Sequence, residues 1–248
     1  MAKIVLVTGG GRGIGAATAK LLARHGYDVA VNYQSNITAA QKVVRAIEAL
    51  GRKAIAVQGD VSKVADVERM FGAVDEHMGL LSGLVNNAGI TGRIGRLDEA
   101  HTVDIQSTMD INVVGALLCA REAVKRMSTK HGGKGGVIVN VSSVATTLGS
   151  PATYVWYAAS KAAVDAMTLG LGLEVAAEGI RVAGVAAGLT DTDLHAAGGE
   201  PDRAKKLAAA VPMGRVAQPS DIAEAIVWMM SGAAGYITAT TLRVGGGR

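Results

Sequence analysis

Short apolar runs alternate along this chain with longer segments whose apolar positions recur at helical spacing. Ile4-Val5-Leu6-Val7 reads as a buried strand, and Ile14 to His25, closed by Gly26, as a helix. A second strand is predicted over 28–33, a second helix over 39–50 and a third strand over 54–57. The rhythm continues with a helix over 64–77, the strand Leu84-Val85-Asn86, a long helix over 109–127 and a strand over 137–141. Another long helix over 157–178, a strand over 181–185, a helix over 220–231 and a strand over 240–244 complete it. Apolar strands bounded by turn residues and separated by helices imply βαβ units with right-handed crossovers. The expected fold is a single-domain, doubly wound α/β structure, its mostly parallel sheet flanked by helices on both faces.

Two segments break the rhythm, 91–101 and 190–216, the second holding Gly198, Gly199, Pro201 and Pro212. Ligands of open α/β sheets bind at the strands' C-terminal ends, and segment 190–216 follows such an end. It is therefore expected to be a substrate lid inserted into one domain spanning 1–248. No Pro- or Ser-rich linker and no internal repeat divides the chain.

Composition narrows the function. The 248 residues, 49% of them apolar, suffice for one large core. With 33 glycines but only 3% aromatics, the chain suits tight turns better than stacking on nucleic-acid bases. Basic and acidic residues number 25 and 21, without like-charge runs, so no nucleic-acid partner is expected. The lone Cys119, on an apolar helix, reads as a core residue and excludes an internal disulfide. The five histidines lack metal-ligand spacing, so no metal is expected; His195 falls in the lid and is a candidate to touch substrate. Nothing is apolar for long enough to span a bilayer, and Ile4–Val7 is too short for a signal-peptide core; the expected compartment is the cytoplasm.

Thr8-Gly9-Gly10-Gly11-Arg12-Gly13-Ile14-Gly15 follows the first strand and opens the first helix. Glycines there let the backbone turn sharply and approach a pyrophosphate, which the helix N-terminus attracts. Gly9, Arg12, Gly13, Ile14 and Gly15 are thus candidate dinucleotide contacts; a P-loop is excluded because no Lys stands at the helix start. The second strand ends Asn32-Tyr33-Gln34-Ser35-Asn36, without the acid that would bind the ribose hydroxyls of NAD. Tyr33, Ser35, Asn36 and the charge of Arg12 then favour NADP(H) over NAD(H), because a carboxylate would repel a 2′-phosphate. Tyr157 and Lys161, one helical turn apart, share a face, and a nearby cation favours the phenolate. Ser142-Ser143 ends the preceding strand, where a hydroxyl meets a substrate carbonyl.

Together these motifs make the chain similar to the short-chain dehydrogenase/reductase family over essentially its whole length. The resemblance rests on Thr8, Gly9, Gly13 and Gly15, Asp60-Val61, Asn86-Asn87-Ala88-Gly89, Asn112, Ser142-Ser143 and Tyr157-x-x-x-Lys161. It is nearest to the 3-oxoacyl-[acyl-carrier-protein] reductase and glucose 1-dehydrogenase-like branches. The resemblance implies a Rossmann fold and hydride transfer between NADP(H) and a carbonyl or secondary alcohol carbon of a small molecule. Tyr157 would be the acid or base, Lys161 would lower its pKa and hold the nicotinamide ribose, and Ser143 would polarise the carbonyl. Asn112 would support a water leading protons to Lys161. Asp60 and Val61 would flank the adenine, with Asn86 beside the adenosine ribose and Ala88 and Gly89 along the cofactor. Asn87 would pin the central sheet, and Gly188 and Thr192 would cover the nicotinamide. The family's helix pairing implies a homodimer or homotetramer.

The chain departs from the family pattern with one extra residue between Ser143 and Tyr157, Ala183 and Ala187 where Asn and Pro are typical, and Ala239 where Gly is usual. These departures leave an alternative, a catalytically idle NADP(H)-binding redox sensor acting through a protein partner, against which the intact Ser143, Tyr157 and Lys161 argue.

Overall fold

Residues 3–248 are described in the computed structural model, apart from the side chains of His195 and Ala197; the expectation for His195 therefore lies outside the described residues. Seven strands form one sheet: β1 (Ile4–Val7), β2 (Asp28–Tyr33), β3 (Ala54–Gln58), β4 (Leu81–Asn86), β5 (Gly136–Ser143), β6 (Ile180–Ala187) and β7 (Thr240–Val244). Their order is β3-β2-β1-β4-β5-β6-β7. Every neighbouring pair is parallel. The strand order reverses between β1 and β4, which opens a crevice at the C-terminal ends of these strands.

Ten α-helices pack around the sheet. They are α1 (Gly13–Arg24), α2 (Ile37–Glu48), α3 (Val64–His77), α4 (Thr102–Met109), α5 (Ala116–Met127), α6 (Ala145–Leu148), α7 (Val155–Val175), α8 (Leu194–Ala197), α9 (Arg203–Leu207) and α10 (Pro219–Met230). Alternation along β1 divides the core: Val5 and Val7 join Leu22, Ile47 and Ile226 of α1, α2 and α10. Ile4 and Leu6 join Phe71, Met70, Cys119 and Met127 of α3 and α5 on the other face. Burial pushes the Cys119 thiol up to about 12, which leaves it an inert packing group. No helix among the described residues is long and apolar enough to cross a membrane.

Strand β4 starts at Leu81, earlier than the apolar run suggested, because Gly83 is a packing position: a Cβ there would lie 2.3 Å from Met230 Cε. Strand β6 continues to Ala187, since Ala186 and Ala187 pair with Ser142 and Ser143 on one side and with Arg243 and Val244 on the other. The helix expected over 109–127 begins at Thr102 and is interrupted by a π-helical turn over Asp110–Gly115.

Candidate active site

The glycine-rich turn is held by side chains that meet from three strands. Thr8 Oγ1 accepts from the Asn87 and Ala88 N–H groups, and Asn87 Nδ2 donates to the Thr8 and Gly9 carbonyls. Asn32 Oδ1 accepts from Gly9 N–H at 3.0 Å, while its Nδ2 donates to the Val57 and Gly59 carbonyls. Asn32 had no role in the sequence reading; its signal is a lone amide inside the apolar run of β2. Gly9 (φ +60°) and Gly13 (φ +52°) occupy the left-handed region that favours glycine. Helix α1 opens on Arg12 with no side-chain cap and no acid in its first turn. Its first N–H groups therefore have no acceptor within the helix, which fits a phosphate in the cleft.

A cavity of about 930 Å³ runs across the C-terminal ends of the strands. Toward β2 and β3 it is lined by Gly9, Arg12, Gly13, Ile14, Tyr33, Ser35, Asn36, Asp60 and Val61, and further along by Ala88 and Gly89. Toward β5 and β6 it is lined by Ser143, Tyr157, Lys161, Gly188 and Thr192. Three expected site residues do not face it. Gly15 is a packing residue, since a Cβ there would sit 2.5 Å from both Asn87 Nδ2 and the Gly9 carbonyl oxygen. The Asn86 side chain turns into the sheet, where its Nδ2 donates to Asn140 Oδ1 and the Ala116 carbonyl. Asn140 in turn donates to Thr168 Oγ1, giving the buried amides a continuous set of partners.

Asn112 is also buried. Its Oδ1 accepts from Ile90 N–H, and its Nδ2 donates to the Ile90 carbonyl and to Ser160 Oγ. The side chain thus ties the loop after β4 to α7.

At the other end, β5 delivers Ser143 and α7 delivers Tyr157 and Lys161, only 7% and 5% exposed respectively. Ser143 Oγ accepts from Ala145 N–H and shares a hydrogen bond with the Tyr157 phenol. Ser142 Oγ instead donates to the Lys161 carbonyl at 3.4 Å, so Ser143 is the serine beside the phenol. Lys161 Nζ donates to the Val141 carbonyl at 2.8 Å and lies 5.9 Å from the Tyr157 ring centroid.

Burial pushes the phenol's pKa well above the ordinary tyrosine value; the Ser143 bond opposes this and Tyr154 reinforces it. Burial also draws Lys161 down to about 8, against a smaller opposing effect of Asp165. Burial thus acts on both groups, holding the phenol's proton and drawing the ammonium toward neutrality.

Lys161 has a consequence for stability. Between pH 8 and its ordinary value of 10.5 the unfolded chain holds a proton that the folded chain has released, so stability contributed through Lys161 rises with pH. Above the ordinary tyrosine value of 10.0, Tyr157 acts in the opposite sense, because there its folded state keeps the proton. Urea denaturation between pH 8 and 10 is expected to show a rise in the wild type that Lys161→Met flattens. Parallel profiles would show that the ammonium is not desolvated.

Around these groups the backbone is unusual. Ser150 and Ala152 adopt positive φ (49° and 54°) in the segment that holds the extra residue before Tyr157. The Tyr154 ring meets Tyr157 edge-on with centroids 5.1 Å apart, and the Arg203 guanidinium lies 5.2 Å from the Tyr154 centroid. The irregular segment after β6 folds as α8 and α9, and Thr192, Leu194, Arg203 and Leu207 reach the cavity. Among the described residues no His/Cys/Asp/Glu group is arranged to hold a metal ion.

Comparison with known proteins agrees with this arrangement. A family model described as enoyl-(acyl carrier protein) reductase matches residues 9–248. The uncharacterized oxidoreductase YgfF of Escherichia coli K12 is 51% identical over 245 residues, covering 99% of each chain. A 3-oxoacyl-[acyl-carrier-protein] reductase of Synechocystis is 38% identical, covering 99% of this chain and 96% of its own. The structure of a short chain dehydrogenase from Burkholderia cenocepacia J2315 in complex with NADP superposes with a TM-score of 0.90 at 37% identity, covering 99% of this chain and 97% of that one.

Proposed function

Because the chain belongs to the short-chain dehydrogenase/reductase family, and so is an oxidoreductase, we propose that it reduces a carbonyl carbon of a small molecule with NADPH, and oxidises the corresponding secondary alcohol in reverse. The observation that carries this reading is the convergence of Ser143, Tyr157 and Lys161 on a cavity whose far end is an uncapped helix N-terminus. NADPH, when bound, supplies the hydride. Gly9, Arg12, Gly13 and Ile14 hold its pyrophosphate, Asp60 and Val61 flank the adenine, and Ala88, Gly89, Gly188 and Thr192 lie along the rest. Lys161 holds the nicotinamide ribose, and Ser143 hydrogen-bonds the substrate oxygen. Tyr157, whose phenol holds its proton at neutral pH, gives that oxygen its proton during reduction. The segment over 190–216 acts as the lid that excludes water and selects the substrate.

The test is NADPH oxidation against a panel of ketones, aldehydes and 3-oxoacyl thioesters. Turnover of one class is expected; tight NADPH binding with no turnover of any would favour the redox sensor. The preference for NADP(H) rests on the acid-free end of β2, where Tyr33, Ser35, Asn36 and Arg12 line the cleft. A carboxylate placed there by Ser35→Asp is expected to weaken NADPH binding by about tenfold or more while sparing NADH, read by fluorescence titration. Equal effects on both would remove the 2′-phosphate from this corner. Leu117 on α5 and Leu169 and Leu173 on α7 are exposed, and we assign these helices to pairing in a cytoplasmic homodimer or homotetramer.

A further inference from the structure

We propose that Arg203 binds a carboxylate of the substrate, making the natural substrate an oxo acid or hydroxy acid; this rests on the hydride-transfer reading above. Arg203 comes from α9, far in sequence from the catalytic helix, yet it lines the same cavity as Tyr157 and Ser143. Its side chain is only 16% exposed. Among its five N–H donors, those on Nη1 meet Glu200 Oε2 at 2.8 Å, while Nε is buried without any acceptor among the described residues. A buried donor left without a partner is unfavourable. Because Arg203 lines the cavity, an acceptor arriving there would pair the donors that Glu200 leaves over.

The orientation is fixed as well. The guanidinium packs on the Tyr154 ring, and Tyr154 packs edge-on against Tyr157, in successive steps of 5.2 and 5.1 Å. With Nη1 committed to Glu200 and Nε buried beside it, Nη2 is the donor left for a carboxylate oxygen, and Nε lies on the same edge of the guanidinium. A single negative charge suits the site better than a phosphate dianion, because Glu200 already offsets part of the guanidinium charge. Asp193 also lines the cavity but is exposed, so water screens it. The two contacts keep Arg203 and Tyr157 at the same end of the cavity.

The experiment compares 3-oxo acids of four to eight carbons with their methyl esters as substrates of the NADPH-loaded protein. Titration of the matching 3-hydroxy acids into the NADP-loaded protein accompanies the kinetics. The wild type is expected to favour acid over ester by about tenfold or more in kcat/KM, mainly through KM, because an unmet buried donor penalises the ester. Arg203→Met keeps the stem against Tyr154 and is expected to bring the acid-to-ester ratio close to one, with Arg203→Lys in between. An acid-to-ester ratio that is near one in the wild type, or that Arg203→Met leaves unchanged, overturns the proposal and leaves the hydride-transfer reading standing. Hydroxy-acid binding that depends on Arg203 without turnover of any substrate supports the carboxylate site and overturns hydride transfer. Absence of both overturns both.

Discussion

Tyr157→Phe is expected to lower kcat/KM by about 10²–10⁴-fold while leaving NADPH affinity nearly unchanged, because general acid catalysis contributes a factor of that size. The phenol combines a proton held at neutral pH with a place beside Ser143, and phenylalanine removes that donor. The ring keeps its edge-on contact with Tyr154, so the fold loses little beyond the Ser143 hydrogen bond. Steady-state kinetics beside a fluorescence titration of NADPH separate the two effects. Undiminished turnover without the phenol would sink the assignment of Tyr157 as the acid, whereas an unchanged cellular role despite lost turnover would favour the redox sensor.

Gly15→Ala is expected to cost about 1–3 kcal/mol of stability and to weaken NADPH binding. The new Cβ meets Asn87 Nδ2 and the Gly9 carbonyl oxygen, each at 2.5 Å, and neither yields freely. Asn87 is fastened to the Thr8 and Gly9 carbonyls, and Gly9 N–H is fastened to Asn32. Relief of the clash must therefore deform the turn proposed to receive the pyrophosphate, even though Gly15 itself does not line the cavity. Gly170 on α7 provides the control, since a Cβ there meets nothing within 4 Å. Gly170→Ala should leave binding alone and hold or raise the urea midpoint. Cofactor binding by Gly15→Ala equal to that of the wild type would show that the turn adapts.

The α/β rhythm was legible because buried parallel strands are apolar on both faces, and the runs over 4–7 and 28–33 show it directly. The spacing of Tyr157 and Lys161 put them on one helix face, while the roles expected of them and of Ser143 came from the family resemblance. What escaped the sequence has physical reasons. Helices α6, α8 and α9 are four or five residues long, too short for any periodicity to register. The π-helical turn keeps helical polarity patterns while shifting their phase, so 102–127 reads as one late-starting helix. Asn86 and Gly15 stand in motifs that the family resemblance assigns to a cofactor, yet the Asn86 side chain and the space beside Gly15 meet protein atoms, which residue identity alone does not show. The state of Tyr157 depends on how far α7 is withdrawn from water, a property of the packed molecule. Arg203 carries no motif at all; only the fold brings it to Tyr154.

The strand order has a bearing on how the molecule comes into being. Strand β1 is the first made, yet it sits in the middle of the sheet, between β2 and the much later β4. Thr8 and Gly9 gain their Asn87 and Ala88 bonds only after the chain from β2 through α3 has been looped out and returned. Each such parallel pairing closes a long loop before it gains contacts, which makes assembly slow and leaves apolar strand edges open in the interval. A nascent chain stopped short of β4 would display β1 with one edge bare, so the chain's exposure to chaperones and to aggregation is greatest before its cofactor cradle exists.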